Sequence, residues 1–187
     1  ERNRTMTNPP DDPFARVRGY LLSQTQKYDL VDLWPRVIAE RLNYLQAIED
    51  VTEEQARWRP GHGEGEDAWG VLEITQHLTG WTQNVLDMLE AMTQGREGTK
   101  LPPGHLDADP SKSLAEARRE LVEVSMQLTE LMGRPGVDAN LSMTVDHPLF
   151  GPLNVRGWAL FQRVHDVDHV GQVKKLRAMD GFPAAAT

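Results

Sequence analysis

Four stretches of this chain repeat apolar residues every three to four positions, and none alternates them every two over any length. A period near 3.6 marks one face of an amphipathic helix, whereas a period of 2 marks a half-buried strand. The chain is therefore expected to fold as an all-α four-helix bundle. The first stripe, Trp34, Val37, Ile38, Leu42, Leu45 and Ile48, predicts a helix from about Leu33 to Glu49. Asp32 is placed to cap it, and Pro35 is tolerated in its first turn. A second helix is predicted from Val71 to about Thr93, with Gly70 in the N-cap place and Glu73 three residues on. Ser113 and Glu116 form a capping box ahead of the third, whose face is Leu114, Ala117, Leu121, Val124, Leu128 and Leu131. Gly133, Pro135 and Gly136 stop it. Asn154 caps the fourth, which reaches about Ala178 before Gly181 and Pro183.

The rest of the chain connects these helices. Glu1 to Pro13 is polar and Pro-rich and is expected to be a flexible arm, followed by a short helix over Phe14 to Gln24. Residues 1–28 are thus read as an N-terminal arm and 29–187 as the bundle domain. Val51 to Asp67 and Gly95 to Pro110 are expected loops, and in the crossover Val137 to Leu153 only Asn140 to Val145 can pair weakly. No dinucleotide fingerprint, phosphate loop or nucleophile elbow occurs.

Charge and composition exclude several classes. The net charge is −8 with no basic block, which argues against nucleic acid or an anionic membrane as partner. There is no Cys, so disulfides, a thiolate nucleophile and Cys-type zinc sites are excluded. No run approaches the roughly 18 apolar residues of a membrane span, and cytoplasm is the expected location.

The chemistry-bearing residues sit on the apolar stripes. His165 and His169 share the face of Trp158, Phe161, Gln172 and Leu176, all within about 50° by the helical period. Residues four apart on a helix have Cβ atoms about 5–6 Å apart, close enough for two imidazoles to share one ion. His77 lies on the second helix's stripe with Glu73, Ile74, Gly80, Trp81, Asn84, Met88 and Met92. A lone interior histidine is ordinarily a hydrogen-bonded core residue, but three converging imidazoles make a metal site with open positions. Asp166 follows His165 where the His-Glu-x-x-His motif carries its general base, so it is a catalytic candidate; a helix-surface charge is the alternative. Glu73 is the other catalytic candidate, able to orient a ligand, and also a helix cap. Gln172, Asn84 and Glu73 are the candidates for hydrogen bonding to the ligands from behind. Trp81 and Trp158 are expected to pack, His62 and His105 to lie exposed in loops, and His147 is a candidate for lining the bundle end. Arg156 and Arg163 fall to the sides of the fourth helix, so no Arg cluster announces an anion pocket.

Three segments together carry a resemblance. They are Ala68-Trp69-Gly70-Val71-Leu72-Glu73-Ile74-Thr75-Gln76-His77-Leu78, then His147-Pro148-Leu149-Phe150-Gly151-Pro152-Leu153 with Trp158, then His165-x-x-x-His169-x-x-Gln172. From about Leu33 to Ala178 the chain resembles the DinB/YfiT-like family of four-helix-bundle metalloenzymes. The resemblance implies an up-down-down-up bundle, with His77, His165 and His169 holding a divalent metal, zinc or nickel, and water in the open positions. It implies a small-molecule substrate and a homodimer. Some members of that family are S-transferases that use a low-molecular-weight thiol (bacillithiol, mycothiol or glutathione), and one group is a thiol-dependent maleylpyruvate isomerase. A metal-dependent, thiol-dependent transferase is therefore the leading expectation. A metal-dependent hydrolase and a non-catalytic metal-binding or stress-associated bundle protein are the alternatives. The chain departs from the family pattern at Gly70, where Ser or Thr is common.

Overall fold

The protein is described by a computed structural model over residues 13–96 and 108–184. In chain order the helices are α1 (Pro13–Lys27), α2 (Leu30–Ala47), α3 (Glu53–Arg57), α4 (Val71–Thr93), α5 (Leu114–Met132) and α6 (Val155–Arg177), with strands β1 (Val145–His147) and β2 (Gly151–Leu153) ahead of α6. The fold is all-α, as the periodicity predicts. Among the described residues no helix is long and apolar enough to cross a membrane. The expectation of a flexible arm falls on residues 1–12, and His105 falls in 97–107; both segments lie outside the described residues.

The four long helices pack in a ring. α2 runs along α6, α4 runs along α5, α4 also meets α6, and α2 touches α5. α4 is the most enclosed helix: its buried residues run from Val71 through Leu78 and continue with Trp81, Val85, Met88, Leu89 and Met92. Its bounds, and the caps of α5 and α6, follow the sequence signals. Ser113 Oγ accepts from the Glu116 N–H at 3.2 Å, while Glu116 Oε2 accepts from the Ser113 N–H at 2.9 Å. Asn154 Oδ1 accepts from the Gly157 N–H at 3.0 Å.

Four expectations change. α2 starts at Leu30 with Asp29 in the N-cap place, not Asp32, so Pro35 lies in the second turn, on the exposed side. The stripe α2 buries is Leu30, Leu33, Val37, Arg41 and Tyr44, while Leu42 stays 59% exposed. The chain's connector after α2 also holds a short helix, α3, which Thr52 and Gln55 cap reciprocally at 3.2 and 3.0 Å. The weak pairing expected at Asn140 to Val145 keeps only Val145 of that segment and falls instead on Val145–His147, in an antiparallel hairpin that sets Val145 opposite Leu153 and His147 opposite Gly151. Gly151 (φ 70°) supplies the left-handed residue that closes this turn. The Trp158 indole N–H donates to the Val145 carbonyl at 3.1 Å and ties the hairpin to α6.

α1 is the fourth change. It is longer than the expected short helix and packs on α6, with Leu21 fully buried. The Arg163 guanidinium donates to the Tyr20 hydroxyl at 2.9 Å and to Glu40 at 3.0 Å, joining α6 to α1 and α2.

One buried side chain joins all four long helices. Arg41 on α2 donates through Nε to both oxygens of Asp166 on α6, at 3.0 and 3.2 Å. Its Nη1 donates to Ser125 Oγ on α5 at 2.9 Å, and its Nη2 to Thr82 Oγ1 on α4 at 3.1 Å. Asp166 is fully buried, so the expectation of a charge at the helix surface is corrected. Helical counting places it beside the histidine stripe, and α2 covers that side of α6 as well.

Gly70 also has a structural reason. A Cβ added there would stand 2.5 Å from the Trp58 carbonyl oxygen and 3.0 Å from that of Ala56. The connector backbone thus passes where a side chain would be, and only half of a capping box survives, the Gly70 N–H donating to Glu73 Oε2 at 2.9 Å. Gly70→Ser, which would restore the family's usual cap, is expected to destabilise the protein by about 1–3 kcal/mol rather than stabilise it. Chemical denaturation of the two proteins side by side checks this, and a gain in stability would contradict the close approach.

Candidate metal centre

α4 and α6 bring three imidazoles together. His165 Nε2 lies 3.0 Å from His77 Nε2 and 3.0 Å from His169 Nε2. The three rings offer one nitrogen each, all within 4.8 Å of one another. Two ligands of one ion, each about 2.0–2.1 Å from it, stand roughly 2.9–3.4 Å apart at angles between 90° and tetrahedral. The two separations made by His165 match.

The protonation states can be read from the partners. The Gln172 amide N–H donates to the Glu66 carbonyl at 2.6 Å, which orients that amide. Its Oε1 then accepts at 2.7 Å from His169 Nδ1, which must carry the proton, so His169 Nε2 presents a bare lone pair to the cluster. His165 Nε2 faces two nitrogens at once. If it carries a proton, it can satisfy one neighbour well; if it does not, lone pair faces lone pair. His165 Nδ1 is buried without a partner among the described residues and would carry the ring's proton when Nε2 holds an ion. Hydrogen bonding alone therefore leaves the cluster unsatisfied, whereas one cation at the convergence accepts all three lone pairs. The donor set fits a divalent ion.

Burial keeps these rings neutral. It holds His77 down to about 3, with His169 adding repulsion. It pushes His165 well below the ordinary histidine range, with His169 and His77 adding to the effect. His169 is also lowered by burial, against the opposing Gln172 bond. The sign of the linkage follows. Unfolded histidines gain protons below about 6.5, and the folded ones do not. The metal-free protein is therefore expected to lose stability as pH falls from 7 to 5, a window in which most carboxylates stay ionised. Thermal melts across that range check it; a flat profile would mean the rings take up protons while folded.

Two of the three histidines, His77 and His165, lie on the wall of a cavity of about 480 Å³, which is also lined by Trp81, Phe161, Phe150 and His147 and by Phe14 and Val17 of α1; His169 lies behind them, outside the lining. Trp69 and Trp81 flank His77, with ring centres at 4.8 and 6.4 Å. His147 is 5% exposed, and its Nδ1 accepts from the Leu149 N–H at 3.1 Å. Burial lowers its pKa to about 4, so it is neutral with the proton on Nε2, an atom that has no partner among the described residues. Glu66 and Asp168 also line the cavity. Burial raises the Glu66 pKa, and the charges of Asp168 and Asp67 add to the rise.

The other sequence candidates lie elsewhere. Both oxygens of Glu73 are engaged, one by Arg59 and one by the Gly70 N–H, and Glu73 lines a separate cavity with Ala56 and Gln76. Asp166 spends its carboxylate on Arg41, so it is not available as a base at the cluster. Asn84 is half-buried on α4 and does not line the cavity. Arg156 pairs with Asp29 and Asp138 at 2.8 and 2.7 Å, away from the site. His62 is exposed. Trp158 is fully buried packing, whereas Trp81 both packs and lines the cavity. The sequence reading did not single out Phe14, Val17, Glu66 or Asp168 as part of this site. Glu66 reaches it because a 3-10 turn over Gly65–Ala68 folds the acidic loop against α6. A Gly-and-acid composition carries no signal of that turn.

The described residues form a helical bundle in which two helices, α4 and α6, bring three histidines together. The DinB superfamily profile matches residues 37–173, and the chain belongs to that superfamily. It is also similar to the uncharacterized protein YuaE of Bacillus subtilis (strain 168), 24% identical over 154 residues that cover 73% of this chain and 92% of the relative. No solved structure matches the chain. α1 lies wholly outside the matched span, yet contributes Phe14 and Val17 to the cavity wall.

Proposed function

We propose that the protein is a metal-dependent enzyme that holds a divalent ion at His77, His165 and His169 and acts on a small molecule, with a low-molecular-weight thiol as co-reactant. The observation that carries this reading is the convergence of three imidazole Nε2 atoms, two of whose rings, His77 and His165, line a cavity. His77, His165 and His169 would hold the ion as neutral ligands, and the ion, zinc or nickel, would supply the charge that lowers the pKa of a bound thiol or water toward neutrality. The chain's own residues do the rest. Gln172, anchored on the Glu66 carbonyl, fixes the His169 tautomer. Trp81, Phe161 and Phe150 keep the approach apolar, which strengthens electrostatic interactions inside it. The chain has no Cys, so a reacting sulfur comes with the co-reactant.

The same site with water in place of thiol would make a hydrolase. A non-catalytic metal site is the other reading, and the cavity beside His77 and His165 speaks against it, because structural sites are closed. The test starts with protein purified without nickel resin. Elemental analysis should find one divalent ion per chain. A panel of thiols against a generic aryl halide should then show turnover that disappears on chelation and returns with metal. Turnover unchanged by chelation would sink the catalytic reading. A large loss of melting temperature on chelation, with no turnover by any thiol or by water, would favour the structural one.

A further inference from the structure

A file of aromatic rings leads from the histidine cluster to α1. Phe161 stacks on His165 with ring centres 5.6 Å apart, Phe150 lies 5.6 Å from Phe161, and Phe14 of α1 lies 6.2 Å from Phe150. All four line the cavity, whose volume of about 480 Å³ suits a small molecule. α1 is held firmly enough to serve as a wall. Leu21 is fully buried, the Tyr20 hydroxyl accepts from Arg163 at 2.9 Å, and Gln24 Oε1 accepts from Arg36 at 3.2 Å. The Arg18 guanidinium carbon lies 3.7 Å from the place a Cβ on Gly151 would take, so α1 also rests on the hairpin whose turn carries Phe150. Phe150 and Phe161 are buried at 5% and 6% exposure, whereas Phe14 keeps 47% of its surface open.

An aromatic ring left half-open beside buried rings gains free energy when another apolar surface covers it, and a ring does so with favourable pair geometry as well. A hydrophilic body in the same place would lose hydrogen bonds to water against these walls. α1 lies outside the span that the superfamily profile matches, so this wall comes from a part of the chain that the match does not describe. We propose that Phe14 is a specificity-determining residue of the site: it selects a substrate whose reacting atom, at the metal, is joined to an uncharged aromatic ring that packs against Phe14 and Phe150. The proposal rests on the metal reading for the reacting end and adds the class of body that the cavity admits.

Two thiols of similar acidity make the test: phenylmethanethiol, which carries a ring, and 2-mercaptoethanol, which does not. Each is titrated into the full chain loaded with cobalt, and the thiolate-to-cobalt charge-transfer band gives its affinity. Phenylmethanethiol should bind roughly tenfold tighter or more, the gain expected from burying a ring. Phe14→Ala should weaken phenylmethanethiol by about threefold to tenfold and leave 2-mercaptoethanol within about twofold. Phe14 is exposed, so the fold should survive the change, and a circular-dichroism melt confirms it. Benzyl alcohol binding to the metal-free chain, followed by ligand-observed NMR, reads the ring site without the ion, and it too should weaken in Phe14→Ala. Equal affinity of the two thiols would overturn the proposal, and so would a ratio that Phe14→Ala leaves unchanged. If the protein takes up no cobalt, the metal reading fails and benzyl alcohol decides alone: weaker binding in Phe14→Ala supports the ring site, and equal binding in both proteins overturns it.

Discussion

Asp166→Ala is expected to destabilise the protein by about 3–5 kcal/mol, the cost of leaving a buried guanidinium without its counter-charge. For a chain of this length that lowers the melting temperature by roughly 6–20 °C. The argument rests on geometry. Arg41 is 6% exposed and Asp166 is fully buried, so water cannot replace either partner. Burial pushes the Asp166 carboxyl above its ordinary range, with Arg41 opposing the rise. Arg41 also bonds Ser125 and Thr82, so the unpaired cation would disturb contacts on all four long helices. Arg41→Leu with Asp166→Leu removes both charges and should lose far less than the sum of the single changes. Thermal and urea denaturation of the four proteins checks this. A loss below about 1 kcal/mol for Asp166→Ala would show that the pair contributes little.

His169→Ala is expected to weaken divalent-metal binding by several orders of magnitude, because it removes one of three ligands and the one whose tautomer is fixed. Gln172→Leu should weaken it by roughly 10- to 100-fold, the range typical of lost hydrogen bonds behind a ligand. The graded pair is the informative part. Cobalt titration, read by its absorption bands and by quenching of Trp81 fluorescence, gives both affinities. If Gln172→Leu matches wild type, the amide does not orient the ring. If His169→Ala matches wild type, the ion is held elsewhere. The metal-free His169→Ala protein should lose less stability between pH 7 and pH 5 than the wild type does, by the share that this ring contributes, since an absent imidazole binds no proton.

The helical faces that build the site were legible in the sequence because caps and periodicity agree there. Ser113 with Glu116, Asn154, and the stripe through His77 or through His165 and His169 are each local signals, readable within a turn or two. What was not legible depends on which neighbour covers a second side of a helix. Asp166 is one residue from His165, and helical counting turns it away from the histidine stripe; only the packing of α2 on α6 buries it. Arg41 hides for the same reason, a charged residue on the α2 face that the apolar count placed one step aside. The acids of the cavity were illegible on other grounds. Glu66 arrives through a short turn with no periodicity, and Asp168 is one more exposed charge until the 3-10 turn opposite is known.

The hydrogen bond from Gln172 to the Glu66 carbonyl makes the loop before α4 part of the histidine cluster's proton inventory. While that loop is seated, the amide cannot flip, and His169 keeps its lone pair toward His165. Were that contact broken, the amide would be free to turn, the imidazole could exchange tautomers, and its inward nitrogen could acquire a hydrogen. Loop opening and ligand competence are then one equilibrium rather than two. An ion that binds only the competent tautomer is then expected to slow the loop's amide exchange, at a distance from any atom it touches.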